Sequence, residues 1–352
     1  MPATLRHKMT KNLYRLTALF LLVFFTNQII ASEPKSKTNS DSYNPTEDIL
    51  HHIADAHEWH FWGKGEKSVG LYLPVILFTE GKLDVFMSSS FKHGTSDVVK
   101  GERVYYLDHG KIKERSGLKV FDVSITKNIA SMIFSVLILF FLLNSAAKIS
   151  KQNKGAPKGM QGLLEPLILF VRDDIIKANI GPKYEKYTMY LLTVFFFILI
   201  NNLTGMMPGS ANVTGNISVT FVLAMFTFVI ITFSANKHYW GHIFKPPGTP
   251  APLLPIMVPI EIFGIFTKPA ALMIRLFANI TAGHIIIASL VSLIFVASNN
   301  GENIVAGLAV APLSVLFVLF VCLIELLVAF LQAYIFTLLS AVFIGLAVKE
   351  EH

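Results

Sequence analysis

Charge is scarce in this sequence. Only 15% of its 352 residues are Asp, Glu, Lys or Arg, against roughly a quarter in soluble domains. A chain that is 53% hydrophobic, with a mean hydropathy of +0.55, is too apolar to be solvated throughout. Cysteine is almost missing. The single Cys322 sits inside an apolar stretch and can close no intrachain disulfide, so it leaves the redox compartment unread. No G-x-x-x-x-G-K-S/T loop is present to cradle phosphates, which removes the usual nucleotide site. No internal repeat is visible, and that counts against the doubled halves of a stand-alone transporter. The net charge of +7 does not mark a nucleic-acid binder. Such a protein needs a basic face on a folded domain, whereas these charges avoid the long apolar runs and gather at their ends.

What is there begins with a basic start, Arg6, Lys8, Lys11 and Arg15, followed by an apolar core from Leu16 to Phe25 and small residues at Ala31 and Ser32. This is the layout of a secretory signal peptide over residues 1–32, with an uncleaved anchor as the alternative. Residues 33–120 are the polar part and read as an exported module. Its first stretch, to Glu47, has a disordered composition. LPVILFTEGKLDVFMSSS then reads as two strands turning at Glu80-Gly81-Lys82, and RVYYLDHGKIKE as a hairpin turning near His109-Gly110. His51, His52, His57 and His60 have near-metal spacing on a possible helix. A metal needs three or four converging ligands, and interfacial or capping histidines fit the spacing better.

From residue 121 onward the apolar runs are long enough to cross a bilayer: 125–147, 188–207, 217–235, 256–296 and 304–348. The last two are about twice the length a perpendicular helix needs, so they demand tilt, a kink or a hairpin within the membrane. The expected architecture is an all-α integral membrane domain over 121–352 with five transmembrane helices. The last two form a long, tilted antiparallel pair, and a small β-rich module precedes the domain. Between the first two spans, LLEPLILFVRDDIIKANIG is amphipathic and suits the membrane interface. Lysines at 148, 151, 154, 158, 237 and 245 belong on the cytoplasmic side by the positive-inside rule. Five spans then put the module outside and the C-terminus inside, as the export signal independently requires.

An ionisable side chain deep in a bilayer is costly, so each one is a functional candidate. Arg275 is too far from either end of its span to snorkel, and a guanidinium stays protonated in essentially any protein setting. It can be a fixed positive charge and cannot relay a proton. Glu261 precedes it by fourteen positions, about 40° round the helix and about 21 Å along it. Lys268 and Asn279 lie within two turns of the arginine. His284 points to the opposite side, about 13 Å the other way. The polar groups thus split into two sets with a cation between them, as two offset half-channels would require. On the last span Glu325 and Gln332 share a face. Glu325 needs a partner, and His284 is at a compatible depth on the neighbouring helix. Such a pair passes protons near neutral pH or acts as a structural ion pair. Asn202, Asn212 and Asn216 fit either the lining of a watery mouth or helix caps and turns. Asn279 and these three also begin Asn-X-Ser/Thr sequons.

Three stretches resemble subunit a of bacterial F-type ATP synthases: NNLTGMMPG from Asn201, PPGTPAPLLPIMVPIEIFGIFTKPAALMIRLFANITAGH ending at His284, and LQAYIFTLLSAVFIGLA from Leu331. The RLFANxxAGH core with a downstream QAYIF is highly specific, and the resemblance covers about residues 122–352. It implies a proton-translocating stator subunit of the Fo sector in the bacterial inner membrane. Arg275 would face the carboxylate of a rotating c-subunit ring. Glu261, Lys268, Asn279 and Gln332 fall on polar positions of the family pattern. His284 and Glu325 stand where family members carry the same two residue types exchanged. Gly205 stands where some relatives have an acid. The resemblance further implies b subunits of the peripheral stalk and the remaining synthase subunits as partners, together with protons and lipid, no nucleic acid and no cofactor. The subunit would be part of an enzyme without being one alone. A proton-coupled secondary transporter and a membrane scaffold are the competing classes.

Overall fold

A computed structural model of the chain describes residues 55–62, 69–94, 96–108, 110–152, 159–207, 210–246, 249–299 and 302–349. The expected signal peptide, the polar stretch after it, and His51 and His52 lie outside these residues.

The polar module is built from short strands: β1 (Glu58–Trp62), β2 (Val69–Tyr72), β3 (Pro74–Thr79), β4 (Lys82–Met87), β5 (Val98–Lys100), β6 (Arg103–Asp108), β7 (Lys111–Glu114) and β8 (Phe121–Asp122). Both expected hairpins are present, β3–β4 with Thr79 opposite Lys82 and β6–β7 with Asp108 opposite Lys111. The first turn places Glu80 and Gly81 at positive φ, 49° and 77°, as a two-residue hairpin loop demands. Two three-stranded sheets, ordered β4-β3-β8 and β5-β6-β7, share a small core of Val75, Leu77, Phe86, Phe91, Val98, Tyr105 and Ile112. The buried Tyr105 hydroxyl donates to Asp84 at 2.7 Å, and Arg103 pairs with the same carboxylate at 2.9 Å.

One expectation fails here. Glu58–Trp62 is a strand paired with β2, so His57 and His60 do not stand one turn apart on a helix. The aromatic-rich EWHFW finds a cross-strand partner in VGLY, and that pairing outweighs local helical spacing.

The membrane domain follows: α1 (Lys127–Gln152), α2 (Met160–Phe170), α3 (Tyr184–Gly205), α4 (Ile217–Ser234), α5 (Lys237–Phe244), α6 (Leu254–Ala297) and α7 (Ile304–Val348). Among the described residues, five helical stretches are long and apolar enough to cross a membrane. The amphipathic segment is α2 followed by a π-helical turn, Val171–Lys177, that leads into α3 and buries Val171, Ile175 and Ile176. The chain reverses direction there at Gly181, whose φ is +73°.

α3 is the central post, with Leu191, Phe195 and Ile198 fully buried. Ser135 of α1 donates to Asn201 at 2.9 Å, and Tyr190 shares a hydrogen bond with Thr227 of α4 at 2.7 Å. Inside an apolar bundle such bonds add direction to packing that lipid itself does not drive.

α6 and α7 are each one continuous helix, of 44 and 45 residues, so no hairpin interrupts either. At 1.5 Å per residue each runs about 66 Å, twice the hydrocarbon thickness. They pack antiparallel in a register that reads Ser298 against Gly307, Leu290 against Ser314, Gly283 against Glu325 and Lys268 against Phe343. Pro259, Pro269 and Pro312 lie within them without ending the helix.

Candidate functional site: a buried acid–imidazole pair and an exposed arginine

The α6–α7 contact carries the ionisable groups. Glu325 is 4% exposed at the side chain, and its Oε1 lies 3.8 Å from His284 Nε2, whose ring is 22% exposed. That distance suits an ion pair but is too long for a direct hydrogen bond. Glu325 Oε1 has no hydrogen-bond partner among the described residues. A proton or a water shared with the imidazole would satisfy it.

Room for the carboxylate comes from Gly283. A Cβ placed there would stand 2.9 Å from Glu325 Oε1 and 3.2 Å from its carboxyl carbon. Sequence reading passed over this glycine, because a helical glycine carries no sign of what it faces. Its place beside His284 and the family-like AGH triplet is the one signal available.

One turn further along α7, the Ala329 carbonyl accepts a 3.1 Å hydrogen bond from Asn202 Nδ2 of α3. Asn202 Oδ1 in turn accepts from Thr214 Oγ1 at 2.7 Å. All three residues are buried. Asn202 is therefore clamped between α3, α7 and the loop before α4, one turn from the acid. Gln332 follows on the same face of α7, 4% exposed.

Asn216 is the N-cap of α4, accepting from Ser218 N at 2.9 Å, and Asn212 closes the preceding turn by accepting from Gly215 N at 2.8 Å. Of the two readings of these asparagines, the cap-and-turn geometry is what the side chains adopt. Thr281 of α6 donates to the Gly215 carbonyl at 3.4 Å, which joins this loop to the helix that carries His284.

Arg275 stands halfway along α6 on its exposed side, with Asn279 exposed one turn on. Among the described residues it makes no hydrogen bond, ion pair or ring contact. Leu272 and Leu276 beside it are buried against the bundle, so the arginine is aimed away from its own chain. Lys268 lies with its ammonium 5.5 Å from the Phe343 ring centre on α7. Glu261 is half-buried near Tyr239 of α5, whose hydroxyl pKa is raised by burial and by the Glu261 charge. The structure thus brings His284 to Glu325 and sets Asn202 beside the latter. Among the described residues it brings Arg275 to no acid.

An apolar bundle of five spanning stretches, holding a buried acid–imidazole pair and an uncompensated cation at mid-helix, defines a multi-pass membrane protein built for ion transport. Comparison narrows the class. The family model described as ATP synthase A chain matches residues 129–345. ATP synthase subunit a of Chloroherpeton thalassium is 49% identical over 238 residues, covering 66% of this chain and 68% of that protein. ATP synthase subunit a 2 of Chlorobaculum tepidum is 51% identical over 235 residues, 64% of each. ATP synthase subunit a of Myxococcus xanthus is 44% identical over 236 residues, 66% of this chain and 75% of that one. The chain belongs to the ATP synthase A chain family. It is a bacterial multi-pass membrane subunit of the Fo sector and a component of an ATP synthase. A second family model, described as a domain of unknown function, matches residues 48–130.

Proposed function

We propose that this subunit is the proton-conducting stator of its synthase, carrying protons to and from a rotating c-subunit ring through two offset half-channels. Arg275 is the barrier between them. It holds each passing c-subunit carboxylate ionised and keeps a proton from crossing directly. The observation that carries this reading is the arginine's setting: a permanent cation halfway along a 44-residue apolar helix, exposed, and without a counter-ion among the described residues. An unpaired charge at that depth is tolerated where a partner or water meets it from outside.

In the outer half-channel His284 and Glu325 pass the proton between them. Asn202 fixes the turn of α7 below the acid, and Asn216 shapes the mouth by capping α4. Asn279 lies on the proton path beside the arginine, and in the inner half-channel Gln332, Lys268 and Glu261 lead from the ring to the cytoplasm. The driving force is the transmembrane potential, about 2.3 kcal/mol per charge per 100 mV.

Residues 1–32 are read as a signal peptide, residues 33–120 as an exported module and 121–352 as the membrane domain, with the mature N-terminus outside and the C-terminus cytoplasmic. The b subunits of the peripheral stalk hold the subunit against the turning ring. By itself it catalyses nothing and needs no cofactor. The deciding experiment is acid-bath-driven ATP synthesis in sealed vesicles with Arg275→Ala. Synthesis should fall to background while the complex still assembles. Intact synthesis would overturn the proposal, and loss of assembly would favour a scaffold role.

A further inference from the structure

The module, which a domain of unknown function matches, has two outer sheet faces of different character. On the β5-β6-β7 sheet the outward side is mixed, with one exposed valine, Val99, among charged residues. Lys113 and Asp108 form an exposed ion pair of 2.6 Å there, with Lys111 exposed beside them. The β4-β3-β8 sheet breaks this pattern. Its inward residues Val75, Leu77 and Phe86 fill the core, so the alternate positions should be polar if they faced water. They are instead Phe78, Leu83, Val85, Met87 and, on β8, Phe121, between 46% and 62% exposed. Cross-strand register stacks them side by side: Phe78 is opposite both Leu83 and Phe121, Ile76 opposite Val85, and Pro74 opposite Met87. A contiguous apolar face of this kind marks a contact surface.

What covers it follows from where the sheet is anchored. The ladder does not stop at β8: Val123 N donates to the Ile76 carbonyl at 2.9 Å and Ile125 N to the Pro74 carbonyl at 3.1 Å. Two residues later α1 begins, and the amide of its first residue, Lys127, donates to Ala56 at 2.9 Å. Phe121 is six residues from that helix, at most about 20 Å of extended chain. The sheet is therefore held at the level where the first span leaves the bilayer. The helix that follows leaves Phe134, Leu137 and Phe141 exposed. Trp59, a residue type favoured at bilayer interfaces, sits on β1 three residues from that same anchor.

We propose that the β4-β3-β8 face is a lipid-docking surface that seats the module on the bilayer at the side where α1 enters. The occupant is the headgroup–acyl boundary, into which apolar side chains sink by about 5–10 Å.

The test uses the assembled synthase complex reconstituted in phosphatidylethanolamine/phosphatidylglycerol vesicles, with and without a doxyl-labelled phospholipid. In a Cys322→Ser background, Leu83→Cys, Val85→Cys and Lys113→Cys are each labelled with bimane. The doxyl lipid should quench positions 83 and 85 at least about twofold more than position 113, given that insertion depth. Aqueous iodide should show the reverse order. If iodide reached 83 and 85 as freely as 113, the face would be bare and the proposal overturned. If neither quencher reached them, another protein would cover the face, which overturns it equally. Should the cysteine variants fail to assemble, the unaltered complex in photoactivatable phospholipid decides. Lipid adducts on the peptide holding residues 82–87 are expected, and their absence there with adducts on α1 would overturn the proposal.

Discussion

Gly283 on α6 and Glu325 on α7 meet so closely that any side chain at the glycine would occupy the carboxylate's place, a Cβ standing 2.9 Å from Oε1. The acid is thus held by an absence on the facing helix as much as by its partner His284. Gly283→Ala should displace the carboxyl by a fraction of an ångström, and Gly283→Val by more. Misplacements of that size cost up to about a hundredfold in a positioned reaction. The expected result is a graded loss of ATP-driven proton pumping, Ala mild and Val severe, with the assembled complex still recovered from membranes. Equal pumping in both variants would show that the acid's position is immaterial.

Exchanging the pair tests whether the two groups act together. His284→Glu and Glu325→His as single changes should each lower acid-bath-driven synthesis by about 10²-fold or more, the scale of a lost proton relay. The double exchange should restore most of it. Full activity in both singles would make the pair structural, and the outer path would then be sought among Asn202, Asn212 and Asn216.

The Asn202 clamp is a buried network with both ends satisfied, on Ala329 and Thr214. Asn202→Leu leaves Thr214 and the α7 carbonyl short of a partner and should cost about 1–3 kcal/mol. Thermal unfolding of the detergent-solubilised complex reads this directly. Combining the change with Thr214→Val should add much less than the sum, because the two share one bond.

Gly345 of α7 is a second close approach, where an added Cβ would run into the backbone oxygen of Asn179. Backbone cannot swing aside as the end of a glutamate can. Gly345→Ala should therefore destabilise by about 1–3 kcal/mol or more through overpacking. It should lower the amount of subunit in the membrane before it alters turnover per assembled complex.

At the module's junction, His57 Nε2 and Asp122 Oδ2 are 2.7 Å apart. Burial alone would raise the Asp122 pKa. The hydrogen bond and charge of His57, with help from Ser124, outweigh it and hold the carboxyl below its ordinary value. A carboxyl lowered on folding contributes stability above its unfolded pKa, about 3.9, and loses it as pH falls through the folded value. Protection of the Val123 and Ile125 amides from hydrogen exchange, relative to the intrinsic rate at each pH, should be high at neutral pH and fall several-fold below about pH 4. Asp122→Asn should lower protection throughout and remove its pH dependence.

Much of this was legible in the chain itself. Continuous apolar runs fixed the number of spans, because bilayer thickness sets a minimum length that no soluble helix needs. Scarcity of charge made Arg275, His284 and Glu325 conspicuous, because each is expensive in lipid. The turn residues Glu80 and Gly81 marked the first hairpin, because only a few residues tolerate positive φ. The strand at Glu58–Trp62 was hidden, since its partner VGLY gives no sign of itself seven residues downstream. Only the tertiary structure separated the asparagines into a clamp, a turn and a cap, gave Gly283 and Gly345 their meaning, and left one sheet face apolar. Period and hydropathy are properties of one segment and can be read along a line. What a glycine faces, or what an amide binds, depends on the register between two segments far apart in the chain, which exists only once they pack.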